Sequence, residues 1–81
     1  MDVTYRVDKD ILYIGVEGRI DASNAAVAEE KIFSIKNNNP GTHTVVDADQ
    51  LEYISSAGLR VILRLRKEDS NMAIINVAAD V

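Results

Sequence analysis

The hydrophobic period of this chain switches repeatedly between two and about 3.6, and the order of those switches restricts the fold more than any other feature. Residues 2–7 alternate, with Val3, Tyr5 and Val7 on one face and Asp2, Thr4 and Arg6 on the other, which predicts a half-buried edge strand. Asp8, Lys9 and Asp10 break the pattern before ILYIGVEG, a more buried second strand that its closeness in sequence pairs with the first as an antiparallel hairpin. After Gly18 the helix-starting residues Asp21, Ser23 and Asn24 lead into Ala25, Ala28, Ile32 and Ile35 at helical spacing. A helix is predicted over about residues 24–37, ended by the turn residues Asn37, Asn38, Asn39, Pro40 and Gly41. Residues 43–48 read as a short strand. Ser55, Ser56 and Gly58 then precede a second helix, with Leu59, Ile62, Leu63 and Arg66 on one face and Arg60, Arg64 and Lys67 on a polar one. Residues 72–77 supply a last strand, apolar throughout as expected for a strand covered on both faces.

The predicted order is therefore strand, strand, helix, strand, helix, strand. Right-handed crossovers make the last three strands mutually parallel, with the hairpin strand added antiparallel. The fold class is α/β, a mixed four-stranded sheet with helices packed on it. At 81 residues there is room for one such domain and not two. A chain of this size buries only about 60–65% of its unfolded surface, so its core must be well used or shared. Hydrophobic residues make up 47% and charged residues 27%, which is enough apolar surface to fold.

The absence of cysteine removes disulfide and thiolate-metal frameworks and fits a reducing cytoplasm. The amino terminus, MDVTYRVDKD, has no apolar run of the kind a signal peptide or membrane span needs, so no direct membrane contact is expected. A net charge of −4 gives no global source for phosphate neutralisation, and a nucleic-acid partner is not expected.

In a parallel sheet, functional groups collect where strand carboxyl ends lead into helix amino termini. Two such loops exist, one from Gly18 to Asn24 and one from Asp47 to Gly58. If the strands before them are neighbours, Asp21, Ser23, Asn24, Asp47, Asp49, Ser55 and Ser56 share one surface. Ser56 stands at the start of the second helix, where free N–H groups and the helix dipole favour negative charge. A phosphate there changes the surface without melting the fold. By spacing alone, however, a serine before a helix is most often a cap, and an aspartate at a strand end a turn former.

Other chemistry fits less well. His43, the only histidine, lies at the start of its strand, roughly 15 Å from Ser56 at ~3.3 Å per strand residue, too far for a Ser-His-Asp hydrolase. Gly15 and Gly18 make no dinucleotide fingerprint, and Pro40-Gly41-Thr42 lacks the Lys of a phosphate-binding loop. Asp8, Asp10, Glu29 and Glu30 follow no calcium-loop spacing. No cofactor or metal is expected.

The segment VVDADQLEYISSAGLRVIL, with GRIDASNA before it, resembles the STAS domain of bacterial anti-sigma factor antagonists. The strand-end Asp, the aromatic, the hydroxyl pair and the Gly-Leu fall in register, and the match runs over about residues 12–77. The resemblance implies that Ser56 is the regulated phosphoacceptor, with Asp21, Asn24, Asp47 and Gly58 at family positions. It implies a partner, an anti-sigma serine/threonine kinase that holds the ATP, which is bound when Ser56 is unmodified, and a serine phosphatase that resets the switch. A constitutive subunit of a transporter or scaffold, without phosphoregulation, is the alternative it leaves open. Three departures stand out. Ser55 replaces a frequent Asp, Ala57 replaces the second hydroxyl of the pair, and Arg60 fills a position that is often small. Family members also continue past the last strand into a helix that covers the sheet. This chain reads Val77-Ala78-Ala79-Asp80-Val81 there, so an apolar surface is expected on one sheet face or helix flank, covered by self-association as a homodimer or by a partner.

Overall fold

A computed structural model describes residues 1–77. It contains β1 (Asp2–Asp8), β2 (Ile11–Ile20), α1 (Ala25–Asn37), β3 (His43–Asp47), β4 (Leu51–Ile54), α2 (Ser56–Glu68) and β5 (Ala73–Ile75). The expectation about the chain's last residues, 78–81, lies outside the described ones.

The sheet is mixed and its main path runs β1-β2-β3-β5. β1 pairs antiparallel with β2, from Asp2 opposite Glu17 to Asp8 opposite Ile11. β3 is parallel to β2, and β5 is parallel to β3. The predicted hairpin and the three parallel strands are thus present, and the sheet has a fifth strand besides. β2 is long enough to pair twice: Ile11 to Gly15 match His43 to Asp47, and Gly18, Arg19 and Ile20 match Leu51, Tyr53 and Ile54 of β4. β4 thereby continues the path of β3 after a short turn at Ala48–Gln50, closed by the Leu51 N–H donating to the Ala48 carbonyl at 3.1 Å.

Strand alternation builds the core. Leu12, Ile14 and Val16 point to the helix side and are fully buried, joined by Ile20, Val46 and Met72. From α1 come Ala25, Ala28 and Ile32, as its spacing predicts, with Ile35 packed at the margin. α2 differs from expectation: the residues it buries are Gly58, Val61 and Leu65, while Leu59 and Leu63 remain 51% and 60% exposed. The reason is the close approach of its first turn. A Cβ on Gly58 would lie 2.7 Å from Ile54 Cγ1 and 2.8 Å from Ile20 Cγ2, so α2 seats its glycine on the sheet and turns Leu59 outward.

The last strand also departs from the sequence reading. β5 is exposed along its length, because it lies at the sheet edge and no described element covers it. At the opposite end from the helix starts, Thr44 is fully buried. Its N–H donates to Asp69 Oδ2 at 2.9 Å, and Lys36 Nζ donates to Thr44 Oγ1 at 3.0 Å while facing Asp69 at 3.4 Å. These three residues tie α1, β3 and the end of α2 together.

Candidate functional site at the start of α2

The site begins where β2 and β4 end side by side. Ser55 N–H donates to the Ile20 carbonyl at 2.8 Å, which holds the start of α2 against the loop that leads into α1. Ser55 is the N-cap of α2: its Oγ accepts the Gly58 N–H at 3.3 Å. Ser56, the first residue of the helix, is exposed, and its hydroxyl has no partner among the described residues. The two adjacent serines are therefore chemically unequal, one committed to the backbone and one open to solvent. Ala57 packs against the core margin, Gly58 is buried, and Arg60 is exposed one turn further on.

The neighbouring loop is held by its own side chains. Asp21 Oδ1 accepts from both the N–H and the hydroxyl of Ser23, and Asp21 N–H donates to Asn24 Oδ1 at 3.0 Å. Asn24 Nδ2 reaches back to the Arg19 carbonyl at 2.9 Å, so this residue locks the loop instead of capping α1 with its side chain. The Ser23 hydroxyl, then the Ser23 N–H, hold the Asp21 carboxyl below its ordinary pKa, and it stays ionised. Arg19 lies over the Tyr53 ring, 4.5 Å from its centroid, which ties the ends of β2 and β4 on the far face of the sheet.

Asp47 is elsewhere. It pairs with Gly15, five residues before Ile20 on β2, or roughly 16 Å down the strand at ~3.3 Å per residue. The expected single surface is thus two places: Asp21, Ser23, Asn24, Ser55, Ser56, Ala57, Gly58 and Arg60 around the helix start, and Asp47 with Asp49 at the end of β3. The intervening strand β4, unrecognised in the sequence, causes the separation. Asp47 Oδ1 instead accepts from Asn76 Nδ2 and from the Asp49 N–H, each at 3.0 Å, and the Asn76 bond chiefly lowers its pKa. The same strand carries His43 further from Ser56 than its sequence position suggests. His43 pairs with Ile11 and Ile54 with Ile20, nine residues of β2 apart, or roughly 30 Å.

Beside α2 lies an apolar groove on the helix side of the sheet, lined by Ile20, Val46, Ile54, Ile62, Ile74 and Val77 among others. With Leu59 turned outward, it joins the start of α2 to the edge strand β5. Sequence reading placed Leu59 with the core-facing residues, and only the burial of Gly58 shows otherwise. Among the described residues no group of three or more His, Cys, Asp or Glu could hold a metal ion, and no helix is long and apolar enough to cross a membrane.

The family model of the STAS domain matches residues 2–79. The chain belongs to the STAS domain family. Solved structures agree with that fold. An anti-sigma factor antagonist from Mycobacterium paratuberculosis superposes with a TM-score of 0.79 at 18% identity, covering 90% of this chain and 64% of that one. The unphosphorylated form of the anti-sigma factor antagonist SpoIIAA gives 0.74 at 15%, covering 98% and 76%. A chain named as an anti-sigma factor antagonist from Thermotoga maritima gives 0.85 at 19%, covering 98% and 71%. This STAS domain therefore spans about two thirds to three quarters of the length of these structural relatives. No curated protein matches it in sequence.

Proposed function

We propose that this STAS domain is an anti-sigma factor antagonist, a non-enzymatic interaction module switched by phosphorylation of Ser56. In this reading an anti-sigma serine/threonine kinase binds the surface around the start of α2 while Ser56 is unmodified, and its capture frees a sigma factor for transcription in the cytoplasm. The kinase holds the ATP. It transfers the γ-phosphoryl group to Ser56 Oγ: the new O–P bond forms, the bond to ADP breaks, and the hydroxyl proton leaves to a base on the kinase. A serine phosphatase hydrolyses the ester with water and returns the hydroxyl and inorganic phosphate.

The observation that carries the reading is the inequality of the serines. Ser56 is exposed and its hydroxyl has no partner among the described residues, whereas Ser55 uses its own as the cap. A phosphate on Ser56 adds about −1.5 to −2 charges in the middle of the partner surface, and repulsion and desolvation weaken the complex. The test is incubation with the cognate kinase and ATP followed by intact mass measurement. One phosphate should be gained by the wild type and by Ser55→Ala, and none by Ser56→Ala. No gain in the wild type overturns the switch, and leaves the constitutive subunit of a transporter or scaffold as the reading to pursue through captured partners.

The groove between α2 and β5 supports a second element of this proposal, a homodimer through that side. Leu59, Ile74 and Val77 line it and are exposed. Sedimentation equilibrium should show a concentration-dependent dimer weakened by Leu59→Glu, and a monomer at every concentration would remove this element.

A further inference from the structure

Ser56 and Arg60 are four residues apart on the unbroken helix α2, so their side chains share one strip of its surface. Both are exposed. Two other cations are engaged: Arg64, one turn further along α2, pairs with Glu29 of α1, and Arg19 at the end of β2 lies over Tyr53. Arg60 makes no hydrogen bond, ion pair or ring contact with the described residues. No acidic residue stands in the first turn of α2 to compete for it, and the nearby Asp21 carboxylate is engaged by Ser23.

We propose that Arg60 is a built-in counter-charge for a phosphate on Ser56. The assignment rests on Ser56 being the phosphoacceptor and adds a second half to the switch. Guanidinium and phosphate match in geometry and form paired charge-assisted hydrogen bonds. In the unmodified domain, Arg60 is available to an acidic group of the partner. In the modified domain it folds back one turn onto the ester. Phosphorylation then removes a cation from the docking surface in the same event that adds the phosphate. The retained phosphate is held along α2, with its net charge reduced by one.

The test uses the full chain carrying phosphoserine at position 56, installed by semisynthesis so that no kinase is required. Phosphorus NMR follows the second ionisation of the phosphate, near pH ~6 for a free phosphoserine. In the wild type this ionisation should fall about 0.3 of a pH unit below that of Arg60→Gln, the size of a helix-surface ion pair. Arg60→Lys should keep part of the difference, and salt at about 1 M should erase most of it. Identical titrations in all three proteins overturn the assignment. Failure of a kinase to modify Ser56 would instead overturn the proposed function and leave this measurement unaffected, so the two outcomes are separable.

Discussion

Asn76 donates from Nδ2 to Asp47 Oδ1 across the ends of β5 and β3 at 3.0 Å, and it does so from a left-handed backbone with φ of 60°. Next to it, the Ala48 N–H donates to the Ile75 carbonyl at 3.0 Å, so the edge strand is clasped at its end by one side-chain and one main-chain bond. Asparagine tolerates this backbone better than most residues, and its amide supplies a donor to an ionised acceptor. The clasp fixes the short strand that forms one wall of the apolar groove.

Removing the clasp should loosen β5. Asn76→Ala loses the hydrogen bond and places a Cβ residue less suited to positive φ, for an expected loss of about 1–2 kcal/mol in urea denaturation. Asn76→Gly loses the same bond but accepts the backbone, so it should cost measurably less. Equal losses in the two variants would show that the backbone conformation contributes nothing.

The two serines at the start of α2 should separate in stability as they do in geometry. Ser55→Ala removes the acceptor of the Gly58 N–H and should cost about 0.5–1 kcal/mol, towards the low end because the bond is long at 3.3 Å. Ser56→Ala removes a hydroxyl with no partner among the described residues and should stay within about 0.5 kcal/mol of the wild type. Thermal or denaturant melts of the unphosphorylated proteins decide this. A Ser56→Ala loss as large as that of Ser55→Ala would mean that Ser56 shares the capping.

Strand and helix order was legible because each period switch is marked by strong punctuation, Gly18 with Asp21 to Asn24, then Asn37 to Gly41. β4 was not, because Leu51–Ile54 is only four residues long and its burial is partial, so no alternation distinguishes it from a loop. That omission merged Asp47 with the helix start, and pairing with the second half of β2 is the tertiary fact that separates them. The face of α2 was misread for a related reason. Leu59 and Leu63 carry more apolar weight than a glycine, and nothing local says that Gly58 is the residue seated on Ile20 and Ile54. Ser56 was singled out by motif, whereas the different surroundings of Ser56 and Ser55 needed the cap geometry.

Gly58 offers a direct test of that seating. Alanine is worth about 1 kcal/mol more than glycine inside a helix, which favours Gly58→Ala. Against this, the added methyl meets Ile54 Cγ1 at 2.7 Å and Ile20 Cγ2 at 2.8 Å, both branch-point neighbours in or beside the core. Overpacking of this kind costs about 1–3 kcal/mol and should win, leaving a net loss of about 1 kcal/mol. Because α2 must lift to relieve the clash, amide exchange in residues 56–59 should also accelerate. A stabilised Gly58→Ala would show that the first turn of α2 has room to move.

The acid limb of the stability curve should belong largely to Asp69. Burial alone would raise its pKa, but the Thr44 and Asn71 N–H groups and the Lys36 ammonium together outweigh burial and bring it below its ordinary value of 3.8. A carboxyl whose folded pKa is lowered binds its proton more readily in the unfolded chain. Its stabilisation is therefore complete above the unfolded value and is lost as the pH falls from about 5 through the folded pKa. Asp21 and Asp47 shift in the same direction and add to the same limb. Asp69→Asn keeps an oxygen for the Thr44 N–H but cannot titrate. It should lower stability at neutral pH by about 1–2 kcal/mol and flatten the curve below about pH 5. Asp69→Ala also leaves the half-buried Lys36 without its counter-ion and should cost more, about 2–3 kcal/mol. Denaturant melts of the three proteins across that pH range give both quantities, and an acid limb as steep in Asp69→Asn as in the wild type would assign it to the other aspartates.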